Sequence, residues 1–192
     1  MTCAKDLAKI IVSTCETQGV GGNEIKGWIG QRADLTFTYD PTNPSKITGI
    51  VAATGKQLWT VTTSPRGLNS GSDRVTEVGL ADRFTHFGAF TVQEFDTLSV
   101  ENIDTMSDVV YIVESKDKPD AGDGDGVFRL YGAKYGLKPV TDTNRANDAK
   151  GARPIELGPL EGETEKWSQY TVLDTDYATT KAMLEALEVP AV

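Results

Sequence analysis

Short apolar stretches at the two-residue spacing of a β-strand, broken by turn residues about every 10 to 15 positions, constrain this chain most. Leu35, Phe37 and Tyr39 alternate with Thr36, Thr38 and Asp40, the pattern of a strand buried on one side. Asp40-Pro41-Thr42-Asn43-Pro44 then turns the chain, because proline fixes φ and Asp and Asn bond their own backbone. Ile47–Ala53 and Gln57–Thr63 follow as strands, and Thr54-Gly55-Lys56 reads as the tight turn of a hairpin between them. Ser64–Asp73 is a polar, glycine-bearing loop. Ala89–Phe95 and Ser107–Glu114 are two further strands. In the second, Val109-Val110-Tyr111-Ile112-Val113 is apolar on both faces, which places it centrally or at an interface. Val127–Tyr131 is a strand with continuation toward Val140, and Arg153–Leu160 and Trp167–Leu173 complete the series.

Helical spacing occurs only near the ends. Leu7, Ile10 and Ile11 predict a short helix over Thr2–Thr14, capped by Thr2 and ended by the glycines of Gly19–Gly22. Asp176 caps a C-terminal helix whose apolar stripe is Thr180, Met183, Leu184 and Leu187, with Pro190 beyond its end. No repeat or linker divides the chain. The expectation is one mainly β domain over residues 1–192: a β-sandwich or barrel of about eight strands with short N-terminal and C-terminal helices. Residues 1–22 form the N-terminal helix and Gly-rich loop.

A chain of 192 residues, 39% hydrophobic and 24% charged, can bury a core and is too apolar to be wholly disordered. It has no apolar run near the roughly 20 residues that span a membrane, and its first residues lack a signal-peptide pattern. Two cysteines, Cys3 and Cys15, give no disulfide framework, and a single histidine without a CxxC gives no zinc site. A pI near 4.6 opposes binding of duplex DNA by phosphate neutralisation.

The charge is segregated. Glu94–Asp125 holds ten carboxylates against Lys116 and Lys118, nearly all of the formal net −9. Residues 126–154 carry six basic residues against two acids. Two regions of opposite sign can face different partners.

Motifs for chemistry are absent or broken. Asp120-Ala121-Gly122-Asp123-Gly124-Asp125-Gly126 looks like a calcium loop. Aligned as an EF-hand, however, its first position is Ala121 and its twelfth is Gly132, so it reads as a solvated turn. His86, between Thr85 and Phe87, has no nucleophile context and reads as structural. Thr54-Gly55-Lys56-Gln57 lacks the Ser/Thr and the glycine register of a P-loop. No carboxylate pair stands out as a glycosidase couple. Nothing calls for an enzyme or a cofactor, so function is sought in surfaces. Thr141–Gly151 has no large apolar residue, and it holds Asn144, Arg145, Asn147 and Lys150. It reads either as an unstructured hairpin end or as an arm that orders on a neighbouring subunit.

The order of elements in the C-terminal half carries a resemblance. Phe128-Arg129-Leu130-Tyr131-Gly132 and Tyr135-Gly136-Leu137 lead into the polar segment. Gly151-Ala152-Arg153-Pro154-Ile155-Glu156-Leu157 and Gly158-Pro159-Leu160-Glu161-Gly162-Glu163 follow, then Trp167–Leu173 and the closing helix. This layout, over roughly residues 85–190, resembles the major tail tube proteins of tailed bacteriophages. The resemblance implies a virion protein, made in the host cytoplasm, whose β-sandwich subunits stack as hexameric rings. Such a tube conducts DNA without binding it, and works with a tape-measure protein and other tail proteins. In that setting Asp108, Glu114, Asp117, Asp123 and Asp125 suit a channel wall that repels phosphate, and Asn144, Arg145, Asn147 and Lys150 suit an inter-subunit arm. Another β-sandwich virion part (neck, tail terminator or head decoration) is the alternative. A carbohydrate-binding β domain is a further one, with Trp28, Trp59 and Trp167 as candidate platforms.

Overall fold

The computed structural model describes residues 21–79, 81–92, 97–118, 124–143 and 152–190. The expected helix at Thr2–Thr14 lies outside them. In chain order the strands are β1 (Asn23–Gln31), β2 (Leu35–Tyr39), β3 (Lys46–Ala52), β4 (Trp59–Thr62), β5 (Asn69–Val75) and β6 (Arg83–Val92). Helix α1 (Thr97–Asp104) precedes β7 (Val109–Ser115), β8 (Phe128–Tyr131), β9 (Leu137–Asp142), β10 (Arg153–Pro159) and β11 (Tyr170–Val172), and α2 (Tyr177–Ala186) closes the chain. The fold is mainly β with short helices, as the alternation predicts.

Hydrogen bonding joins the eleven strands of the described residues into one continuous sheet, which a shared core folds into two packed sheets. The first runs β2-β3-β11-β8-β7-β1-β4 and the second β9-β10-β6-β5, meeting where Val109 of β7 pairs with Leu137 of β9. Between the sheets lies one core: Ile29, Val109, Tyr111 and Val113 against Phe90, Leu137, Ile155 and Leu157. The other face of the first sheet, with Trp28, Ile50, Val110, Ile112, Phe128 and Val172, is covered by Leu184 and flanking residues of α2. β7 is thus the wall between two cores, and all seven of its residues are buried. That is why it is apolar on both faces.

One close approach fixes the distance between the sheets. A Cβ on Gly88 would sit 2.4 Å from the Tyr111 ring, so only glycine lets that ring lie on β6. The Tyr111 hydroxyl reaches over it to donate to the Ala89 carbonyl at 3.2 Å.

The C-terminal helix follows its sequence signals. The Asp176 side chain accepts from the Thr179 amide at 2.8 Å, Thr180 and Leu184 are buried, and Met183 and Leu187 pack on the core. Several sequence expectations fail for non-local reasons. β3 and β4 are not a hairpin: β3 pairs with β2 and β11, while β4 pairs with β1. Asn69–Asp73, the end of the expected loop, belongs to a full strand, β5, against β6. The strand starting at Val127 does not run on to Val140. It stops at Gly132, which takes φ 78°, and β9 restarts at Leu137. Helix α1, with the polar sequence Thr97-Leu98-Ser99-Val100-Glu101-Asn102-Ile103-Asp104, carries no periodic stripe and was not expected.

Candidate functional surfaces

Among the described residues, β2 and β4 lie at opposite ends of the first sheet and β5 at one end of the second, each paired on one side only, while β9 at the other end of the second sheet meets β7 at Val109 and Leu137 alone. The direction of the free groups follows from the antiparallel alternation. The Thr63 amide donates to the Ile25 carbonyl at 3.0 Å, so Val61 and Trp59 also bond to β1. Thr60 and Thr62 therefore aim their N–H and C=O groups away from the sheet. Leu58 points the same way, and its amide is taken by the Leu187 carbonyl at 2.7 Å. At the other end the Ala53 amide donates to Asp34, so Thr36 and Thr38 bond to β3 while Leu35 and Phe37 face outward. The Leu35 amide closes the turn on Arg32, leaving its carbonyl open.

Beside β4 lies a cleft of about 780 Å³ between that strand, the end of β6 and α1, lined by Trp59, Val61, Val92, Asn102 and Met106 among others. Of the three tryptophans, Trp28 is core and donates Nε1–H to Glu188 at 2.8 Å, and Trp167 is half-buried. Trp59 is 48% exposed.

The acidic stretch divides by environment. Glu114, only 3% exposed, cannot serve as a wall carboxylate. It accepts from the Tyr177 hydroxyl at 2.7 Å and pairs with Lys118 at 2.8 Å and Lys181 at 3.5 Å. Burial alone would raise its pKa, but those cations and that hydroxyl outweigh it and hold the carboxyl below its usual range. Lys118 is held charged in return, chiefly by Glu114. Asp108 sits at φ 50° and binds the Arg32 guanidinium through both oxygens, at 2.7 and 2.8 Å. It fastens the turn before β2 to β7. Asp117 and Asp125 are exposed, at the two ends of the turn between β7 and β8. Asp123 lies outside the described residues.

The expected arm residues Asn144, Arg145, Asn147 and Lys150 also lie outside the described residues. The flanks of that segment are well held. Arg153, 6% exposed, donates to Asp142 from Nε at 2.6 Å and from Nη2 at 2.5 Å, and to Asp104 of α1 at 2.7 Å. Thr141 and Asp142, read from sequence as part of the polar segment, belong to β9.

No family model matches this chain, no curated protein matches its sequence, and no solved structure matches its fold.

Two buried polar groups act as internal staples. His86 accepts from the Gly132 amide at Nδ1, 3.0 Å away, and its Nε2 lies 2.8 Å from the Trp167 carbonyl. The neutral tautomer protonated at Nε2 satisfies both bonds. Burial pushes the imidazole pKa down, partly opposed by the Trp167 carbonyl and Glu165. Glu165, which no sequence pattern singled out, is 4% exposed. It accepts from the Lys134 and Tyr135 amides at 2.9 and 3.2 Å and from the Tyr170 hydroxyl at 3.0 Å. The Phe84 and Glu165 backbones exchange hydrogen bonds. The His86 side chain joins β6 to the β8–β9 and β10–β11 connections, and the Glu165 side chain joins the β10–β11 connection to the β8–β9 connection and to β11.

Proposed function

We propose that this chain is a self-assembling structural protein whose copies stack as rings of a tailed-phage tail tube conducting DNA. The observation that carries the reading is the first sheet itself. Among the described residues it ends at both sides in short strands with free backbone groups, and no charged side chain occurs among residues 35–38 or 59–62. Such edges favour association unless guarded. Two different edges on one subunit give the head-to-tail contact that cyclic assemblies use. The excess of carboxylates, including exposed Asp117 and Asp125, supports a conduit to which phosphate does not adhere. The resemblance in the order of elements over roughly residues 85–190 is the reason the tube is proposed ahead of a neck, terminator or decoration protein. Negative-stain micrographs of the protein at high concentration, alone and with tape-measure and other tail proteins, test it. Rings or tubes are expected, and a strict monomer under all these conditions overturns the proposal.

Trp59 beside its cleft favours one second reading, a glycan-binding face. Glycan-array binding that disappears in Trp59→Ala would establish that reading instead.

A further inference from the structure

We infer that the free edge of β4 in one copy takes the free edge of β2 in the next copy as an antiparallel neighbour, with Phe37 opposite Thr60. This inference rests on the self-assembly reading and names the surface that performs it. Four independent features agree.

The first is strand direction. Through β2-β3-β11-β8-β7-β1-β4 every pairing is antiparallel except β11 with β3, so β2 and β4 run in opposite directions. Rotation about an axis along the strands preserves their sense. A ring built that way therefore brings β4 against an oppositely directed β2, and no strand need be reversed.

The second is hydrogen bonding. With Phe37 opposite Thr60, the Thr60 amide donates to the Phe37 carbonyl and the Phe37 amide to the Thr60 carbonyl. The Thr62 amide then donates to the Leu35 carbonyl. These are the groups left facing outward at the two edges. The bond between Leu58 and Leu187 ends the free stretch at its other side.

The third is the match of faces. Thr60 lies on the same face as Trp28, its partner in β1, and Phe37 packs on the core that contains Trp28. The face covered by α2 thus continues into the neighbouring copy. On the opposite face, Thr36 and Thr38 of that copy come to lie opposite Val61 and Trp59, covering part of the indole that is 48% exposed in a single subunit.

The fourth is charge. The other open edges among the described residues carry charge or proline, exposed Asp73 and Arg74 on β5 and Lys138, Pro139 and Asp142 on β9, which guard an edge against pairing. Neither β2 nor β4 has such a guard.

A proline at Thr60 removes only an outward amide, whereas one at Val61 breaks a bond to β1. Thr60→Pro should keep the wild-type circular dichroism spectrum but lose rings and tubes, while Val61→Pro should unfold. In a Cys3→Ser, Cys15→Ser background, Val61→Cys with Thr36→Cys should oxidise into a ladder of multiples of 20.7 kDa on non-reducing gels. Those positions would be directly opposite, about 4.5 Å apart at Cα, within disulfide reach. The trap decides the question if Thr60→Pro does not fold. A wild-type protein that assembles while Thr60→Pro assembles equally, or while the double-cysteine form stays monomeric on oxidation, overturns this edge assignment and leaves self-assembly standing. A wild-type protein that never assembles overturns both.

Discussion

At the scale of single residues, the polar groups of the interior set how the protein responds to acid. The folded-state pKa of His86 lies below 6.5, so the unfolded chain takes up that proton first as pH falls. Stability is then complete above about pH 6.5 and declines below it, by at most about 1.4 kcal/mol per pH unit, until the folded value is passed. Glu114 acts in a lower window. Its folded pKa is depressed below 4.5, so its contribution is present above that value and is lost as pH falls through the folded one. Urea unfolding across pH 3–7.5 should show both declines. His86→Gln should abolish the upper one and cost about 1–3 kcal/mol at pH 7.5, because it disturbs the partners of the Gly132 amide and the Trp167 carbonyl. Pattern alone marked His86 as structural, since nothing beside it offered a reaction. Glu165 carried no such signal, because its three donors come from residues brought near by the β8–β9 turn and β11.

Elements divide by how local their causes are. β7 and α2 were legible: the first from an unbroken β-branched and aromatic run, the second from a cap followed by an apolar stripe. Asp176→Ala should lower stability by about 1 kcal/mol, read as a shift in the urea midpoint with unchanged slope. The pairing of β3 with β4 was misread because Thr54-Gly55-Lys56 is a good local turn, while the partner of β4 is β1, far earlier in the chain. Gly88 shows the same dependence on distant sequence. Gly88→Ala should cost about 1–3 kcal/mol by pressing a methyl into the Tyr111 ring, measurable in the same unfolding experiment.

For the whole molecule, the sum of charge was plain from composition, but its division was not. Glu114 and Asp108 are held in ion pairs, so of the carboxylates expected to face a channel, Asp117 and Asp125 are the exposed ones among the described residues. Replacing these two with lysine should keep the folded circular dichroism spectrum, since both lie at the surface. Assembled particles should then retain DNA in a gel-shift measurement at low salt; unaltered DNA mobility would place both residues off the channel. Because Arg153, Asp142 and Asp104 clamp the flanks, deleting Asn144–Ala149 should spare the monomer's melting temperature but impair tube growth. Normal growth, scored by electron microscopy, would remove the arm from the assembly. By itself the sequence determined a mainly β domain, its doubly buried central strand, its closing helix and its acidity, because each depends on neighbours in the chain. Only the tertiary structure decided which strands end the sheets, which carboxylates are spent inside and where Trp59 lies. Those depend on pairings between segments whose meeting no short window of sequence encodes.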